Sequence, residues 1–255
     1  MLRPLVLLSN DDGYRAPGIQ TLRQALLDVA DVVICAPEVE QSAASHSLSL
    51  HRPLRLLDHG DGIFSVDGTP ADSVYVGLYA DTRVVPRRPD LVISGVNWGP
   101  NLGEDVFYSG TVAAAREGAL RGLPSLAVSA AAGACVTRAA EVSTRLAIAT
   151  LRVAAGPVLL NVNFPPGDDW PIRVTCTGRR VYTDGVEFRT DPRGREYLWL
   201  GSPGAEHPSV SGSDTAAFDS GMVSITPLAL DLWSEQHRSV AEAVVRASDE
   251  VFPPA

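Results

Sequence analysis

Apolar positions along the chain follow two spacings that alternate. Short unbroken runs come first: Leu5-Val6-Leu7-Leu8, Val32-Val33-Ile34-Cys35-Ala36, Leu91-Val92-Ile93-Ser94, Ser125-Leu126-Ala127-Val128 and Val158-Leu159-Leu160-Asn161-Val162. They are rich in β-branched residues and have no polar face, as expected of strands covered on both sides in a parallel sheet. Between them the spacing changes to three and four. Ile19, Leu22, Leu26 and Val29 predict a helix over residues 19–29, and a second helix over 71–79 is started by Thr69-Pro70 with Asp72 in its first turn. An Ala-rich stretch over 111–120 and a long periodic one over 138–154 complete the set. Strand and helix in alternation predict right-handed crossovers and an α/β fold, a Rossmann-like, doubly wound, mostly parallel sheet.

The pattern changes after about Pro165. Ile172-Arg173-Val174-Thr175-Cys176 and Glu196-Tyr197-Leu198-Trp199-Leu200 read as antiparallel strands, residues 201–213 as a long Gly/Pro/Ser loop, Val223-Ser224-Ile225-Thr226 as a strand, and 234–251 as a terminal helix. This tail has too little apolar content for a core of its own. It either packs on the first part or reaches across to another subunit. The expected division is an α/β core over 1–165 and a completing C-terminal segment over 166–255.

Composition narrows the class. A chain of 255 residues is long enough for one large α/β domain with an appended piece, and 45% hydrophobic with 20% charged residues is ordinary for a globular protein. The net charge of −9 argues against a surface for duplex nucleic acid, while leaving room for a small anion in a local pocket. The first eight residues are too short and too soon interrupted to read as a secretory leader, and no stretch is long enough to cross a bilayer. Three widely spaced cysteines, Cys35, Cys135 and Cys176, read as buried free thiols of a reducing compartment. A soluble cytoplasmic protein without a membrane partner is expected.

The candidate chemistry lies in loops that follow the strands. Asp11 and Asp12 stop the first run, and two adjacent carboxylates repel unless a divalent cation joins them; Mg²⁺ or Mn²⁺ suits such oxygens. A plain polar turn is the alternative reading of Asn10-Asp11-Asp12-Gly13. The loop over 38–49 supplies Ser42, Ser45, His46 and Ser47, and the one after residue 94 supplies Asn97 and Asn101. In a parallel sheet all three loops share one edge, where two carboxylates, a hydroxyl and an amide carbonyl would form an incomplete oxygen shell. Tyr108-Ser109-Gly110-Thr111 precedes the Ala-rich helix: an N-terminal cap on the simple reading, a phosphate cradle on the functional one. His46 reads as a surface group or one behind the ligands, and Asp67 to Asp72 as a turn and helix start. No Walker A sequence, dinucleotide fingerprint or Gly-x-Ser-x-Gly elbow is present.

Taken in order, Ser9-Asn10-Asp11-Asp12-Gly13, Ala16-Pro17-Gly18-Ile19, Ala36-Pro37 with Gln41-Ser42, Gly68-Thr69-Pro70-Ala71-Asp72, the run from Ser94 to Gly103, and Tyr108 to Ala115 resemble the SurE (stationary-phase survival) family of metal-dependent nucleotidases. Asp191-Pro192-Arg193-Gly194 and the stretch from Asp214 to Leu228 extend the resemblance over nearly the whole chain. It implies hydrolysis of nucleoside 5′-monophosphates, and of 3′-monophosphates, with one divalent metal. It implies metal ligands at Asp11, Asp12, Ser42 and Asn97, the two aspartates being catalytic, and substrate or phosphate contacts at Asn101, Ser109, Gly110 and Thr111. It further implies a homodimer or homotetramer that exchanges the C-terminal arm. Ala43 stands where many members have glycine, and Trp98 occupies a position that varies. Water and an aspartate both remain open as the nucleophile. The rival readings are a phosphatase of polyphosphate or sugar phosphates, a nucleotide sensor without catalysis, and, last, a metal-dependent glycosyltransferase.

Overall fold

The computed structural model describes residues 3–182, 185–200, 205–206, 208 and 210–251. In chain order its elements are β1 (Leu5–Ser9), α1 (Pro17–Leu26), β2 (Asp31–Pro37), β3 (Leu56–Asp58), β4 (Ile63–Val66), α2 (Pro70–Tyr79), β5 (Leu91–Trp98), α3 (Gly110–Leu120), β6 (Ser125–Ala130), α4 (Val136–Val153) and β7 (Leu159–Phe164). There follow β8 (Ile172–Val174), β9 (Val181–Tyr182), β10 (Val186–Thr190), β11 (Glu196–Leu200), β12 (Ala205–Glu206), α5 (Asp214–Asp219), β13 (Val223–Leu228) and α6 (Arg238–Val251). The main sheet has nine strands in the order β3-β4-β2-β1-β5-β6-β7-β13-β8. From β4 to β7 every pairing is parallel, for instance Leu8 beside Ile34 on one side and Ile93 on the other. The alternation of apolar runs and helical spacing has its expected result, a mostly parallel α/β fold.

Alternate residues of β1 feed two cores. Val6 and Leu8 pack with Ile19, Leu22 and Leu26 of α1 and with Ala139, Ala140 and Ala147 of α4. Leu5 and Leu7 face the other way, with Val74 of α2 and Ala114 of α3. All five residues of β1 are buried, which is why the run lacks a polar face. Leu22 is fully buried, so Leu22→Ala would cost about 2–5 kcal/mol through lost burial and the cavity left behind. The helix α2 starts with a capping box: the Thr69 hydroxyl accepts from Asp72 N, and Asp72 accepts from Thr69 N.

After Pro165 the structure differs from the sequence-based expectation in several places. Residues of β8 pair parallel to β13, Val223 beside Ile172, not antiparallel as their pattern implied. The excursion from β9 to α5 lies between them and is long enough for a parallel crossover. β13 itself runs antiparallel to β7, so both strands extend the main sheet. β11 does pair antiparallel, with β10, across a turn in which Asp191 accepts from the N–H groups of Arg193 and Arg195. Within residues 201–213, expected as one loop, Ala205–Glu206 form β12 and pair antiparallel with β9; residues 201–204, 207 and 209 lie outside the described residues. Strands β3 and β4 were not anticipated; each is short, and His59-Gly60-Asp61-Gly62 between them reads only as a turn. The cysteines also depart from expectation: Cys35 is buried, whereas Cys135 and Cys176 are exposed, because small neighbours in a loop do not bury a thiol. Among the described residues no helix is long and apolar enough to cross a membrane.

Candidate active site

Strand β1 lies between β2 and β5, and the order of the sheet reverses there, since the chain turns first towards β2 and later strands add beyond β5. A crevice opens at the carboxyl ends of strands at such a point. Asp11 and Asp12 leave the end of β1, Ser42 lies in the loop after β2, and Asn97 is the penultimate residue of β5. A cleft of about 710 Å³ has Asp11, Ser42, Asn97, Asn101 and Ser109 on its wall. Asp12 joins them through Trp98 N, which donates to its Oδ2 at 3.3 Å. Gln41 N donates to the Asp11 carbonyl at 2.8 Å, so the loop that carries Ser42 is fastened directly to the aspartate turn. The Asn97 amide nitrogen donates to Gly99 O at 2.7 Å, and its oxygen is the atom left to serve as a ligand.

The two carboxylates sit in an environment that resists their charge. Burial raises the Asp11 pKa above its ordinary value, opposed by hydrogen bonds from Thr111, whose hydroxyl donates to Asp11 Oδ1 at 2.5 Å. Burial and the neighbouring Asp11 push Asp12 up to about 6, and Glu40 adds to the repulsion at both. A buried pair of like charges is costly without a counter-charge. The donors fit a hard divalent cation: two carboxylates, the Ser42 hydroxyl and the Asn97 carbonyl, all oxygen. Among the described residues no group of three or more His, Cys, Asp or Glu side chains could hold a metal.

The helix α3 begins directly against Asp11. Ser109 is its N-cap and accepts from Val112 N at 3.0 Å, while Ala113 N bonds to Ser109 O. Of the first-turn N–H groups, that of Thr111 donates to the Asp11 carboxylate and that of Gly110 is left outside these bonds. The helix dipole adds to the positive end at the Gly110 N–H, where an anion would be favoured. A Cβ at residue 110 would lie 2.8 Å from the Asp11 Cβ and 3.0 Å from Pro70 Cγ, so only glycine lets the helix start this close to the carboxylate. Ser109, Gly110 and Thr111 are therefore assembled beside Asp11, and the N-terminal cap expected of this segment is made by Ser109.

Asn101 is placed differently from a simple phosphate ligand. Its backbone N donates to Asn163 Oδ1 at 2.7 Å, its carbonyl accepts from Asn161 and Asn163, and its own amide donates to Ser129 Oγ at 2.8 Å. One amide proton is spent on this buried network and one remains for a ligand. The partners of several residues escaped the sequence reading, and His46 takes the place behind the ligand loop that was one of its two readings. His46 Nε2 lies 2.8 Å from Glu117 Oε2, tying the Ser42 loop to the middle of α3, and Ser45 N and Oγ bond to the carbonyls of Tyr108 and Phe107. Buried Asp214 accepts from Gly178 N, Thr215 N and Gly103 N, holding the C-terminal segment against the loop after β5. Arg180 pairs with Asp105, which also accepts from the Tyr182 hydroxyl at 2.7 Å. The one signal in the sequence was the pair Asn161 and Asn163 inside an apolar strand, where residues two apart share a face.

Fold and site define a class: an α/β protein whose topological switch point holds an acidic, oxygen-rich centre against a helix N-terminus. The family described as "Survival protein SurE" matches residues 6–184. The chain belongs to the SurE family. A Sorangium cellulosum protein named 5′-nucleotidase SurE is 61% identical over 245 residues, covering 94% of this chain and 95% of the relative. The protein of the same name from Geobacter metallireducens is 45% identical over 237 residues, covering 89% and 92%. The crystal structure of the SurE protein from Aquifex aeolicus superposes with a TM-score of 0.81 at 38% identity, covering 95% of this chain and all of that one.

Proposed function

We propose that this protein is a 5′-nucleotidase, a phosphomonoesterase that hydrolyses nucleoside 5′-monophosphates, and 3′-monophosphates as well, to nucleoside and phosphate. The observation that carries this reading is the start of α3 set against the Asp11–Asp12 pair, which would put a phosphate beside a cation. Relatives named 5′-nucleotidase SurE support it. Asp11, Asp12, Ser42 and Asn97 would hold one Mg²⁺ or Mn²⁺. When bound, the ion supplies charge neutralisation on the phosphate and lowers the pKa of a bound water.

The protein's own groups do the rest. The Gly110 N–H, the Ser109 hydroxyl and the free Asn101 amide proton hold phosphate oxygens and meet charge as it spreads over them in the transition state, while the Thr111 N–H and hydroxyl are turned to Asp11. Thr111 holds Asp11 in one rotamer. Asp12, only half buried, has oxygen left to take a proton from the attacking water as its oxygen bonds to phosphorus; the ester P–O bond breaks and that proton passes on to the leaving nucleoside oxygen. The Asn101 network and the Asp214 bonds keep the facing loop still, which matters because displacement of about 1 Å costs roughly 10²-fold in rate.

We also read the segment 166–255 as an arm exchanged between the subunits of a homodimer or homotetramer. Phe188, Leu198, Trp199 and Leu200 on β10 and β11, with Val240 and Val244 on α6, are all exposed in the single chain; light scattering against a variant lacking the hairpin tests it. The activity is tested by phosphate release from nucleoside monophosphates and from p-nitrophenyl phosphate. Strong preference for the nucleotides is expected, and equal rates would point to a general phosphatase instead.

A further inference from the structure

The wall of the cleft carries two chemical sets. One is the oxygen-rich set already described. The other is aromatic and apolar: Trp98, Tyr108, Tyr182 and Leu200, with the Arg180 guanidinium beside them. Three of the fourteen lining residues are aromatic, against 6% in the whole chain, and the excess lies at the cleft.

Trp98 is the most telling of these. Its backbone is fixed, with its N bonded to Asp12 Oδ2, its Cα in register with Ala130, and the following Gly99 N bonded to Ala130 O at 2.9 Å. Its side chain nonetheless stands 69% exposed. A large indole held out from a rigid strand end leaves most of its ring face open at the cleft. Tyr108 is 66% exposed and equally anchored, its N bonded to Asp105 O and its O accepting from Ser45 N. Arg180 sits 5.4 Å from the Tyr182 ring centroid and spends Nη1 on Asp105 and on Pro100 O at 3.3 Å. Its Nε is buried without a hydrogen-bond partner among the described residues. Fixed aromatic faces next to a pinned guanidinium with donors to spare suit a flat heteroaromatic ring bearing acceptor atoms.

We infer that Trp98 is the base platform of this cleft and that, with Arg180, it selects purine nucleoside monophosphates. The inference rests on the nucleotidase reading and deepens it. The bicyclic indole offers its largest stacking overlap to a bicyclic base, and purines carry acceptors at their outer edge that match guanidinium donors.

The test compares kcat/KM for AMP and GMP with that for CMP, UMP and ribose 5-phosphate in the wild-type protein, Trp98→Phe and Trp98→Ala, alongside equilibrium dialysis of AMP in chelator; purines favoured no more than pyrimidines by the wild type would overturn the selection. Loss of one stacked base contact predicts that the purine-to-ribose-5-phosphate ratio falls about tenfold in Trp98→Ala. The Phe variant keeps most of the ratio, and AMP affinity in chelator weakens in parallel with the kinetic loss. A ratio unmoved in Trp98→Ala overturns the inference, as does a change in oligomeric state alone, which would make Trp98 an interface residue. Wild-type protein that is folded yet releases no phosphate from any nucleotide defeats the nucleotidase reading; the dialysis arm then still decides whether Trp98 holds a base.

Discussion

Replacing Gly110 by alanine adds one methyl group where the phosphate cradle meets the carboxylate pair. The new Cβ would stand 2.8 Å from the Asp11 Cβ, 3.0 Å from Asp11 Oδ2 and 3.0 Å from Pro70 Cγ. Carbon atoms rest at about 3.5–4.0 Å, so roughly 0.7–1.2 Å of overlap must be relieved. Pro70 opens α2 and is buried, and Asp11 leaves a fully buried strand, so neither yields freely. Whether Asp11 or the first turn of α3 gives way, cradle and carboxylates part by something near 1 Å. That predicts a loss of roughly 10²-fold in kcat/KM, with overpacking that costs about 1–3 kcal/mol. The assay is phosphate release from AMP with saturating Mn²⁺, beside thermal unfolding in the same buffer. Gly156→Ala is the control, because a Cβ there meets nothing within 4 Å. A folded Gly110→Ala protein with near wild-type kcat/KM would refute the claim that this close approach serves catalysis.

Asp11→Asn should lower turnover by orders of magnitude while raising or preserving the unfolding temperature in chelator, since burial works against the Asp11 charge; a clear drop in that temperature would contradict the electrostatic account. At Glu117 burial works to raise the pKa, but hydrogen bonds from His46 and Arg121 outweigh it and hold the carboxyl below its ordinary 4.5. A carboxylate with a depressed folded pKa stabilises fully above the unfolded value and loses that contribution as pH falls through the folded one. Glu117→Gln should therefore flatten the acid limb of stability below pH 4.5, and unfolding curves with the same acid slope as wild type would count against the pairing. Asp214→Ala strands the N–H groups of Gly103, Gly178 and Thr215, at about 1–3 kcal/mol for each buried group left unpaired. Calorimetry should register a loss of about 2 kcal/mol or more, together with reduced activity as the loop after β5 loosens; an unchanged melting temperature would show that these bonds matter little.

The parallel core was legible because burial on both faces removes polar residues from a strand, and β1, β2, β5, β6 and β7 are such runs. The loops at their ends were legible for the converse reason: Asp11 and Asp12 are costly where they stand, and the costs show as raised pKa values. Contacts remote in sequence left no local trace. Nothing near His46 points to Glu117, 71 positions away, and nothing near Asp105 points to Arg180 or Tyr182. Direction of pairing at β8 was illegible too, because three residues carry no sign of parallel or antiparallel and the crossover decides it. Asn101 shows a further limit: its resemblance-based role is contact with substrate, yet most of its polar groups hold the loop in place.

The measurement closest to the central claim is phosphate release from AMP by protein stripped with excess chelator and then titrated with Mn²⁺ or Mg²⁺, wild type beside Asp11→Asn. The account predicts no release in chelator, recovery that saturates as the ion is added back, and no recovery in the variant. Undiminished release in chelator, or full recovery in Asp11→Asn, would contradict it.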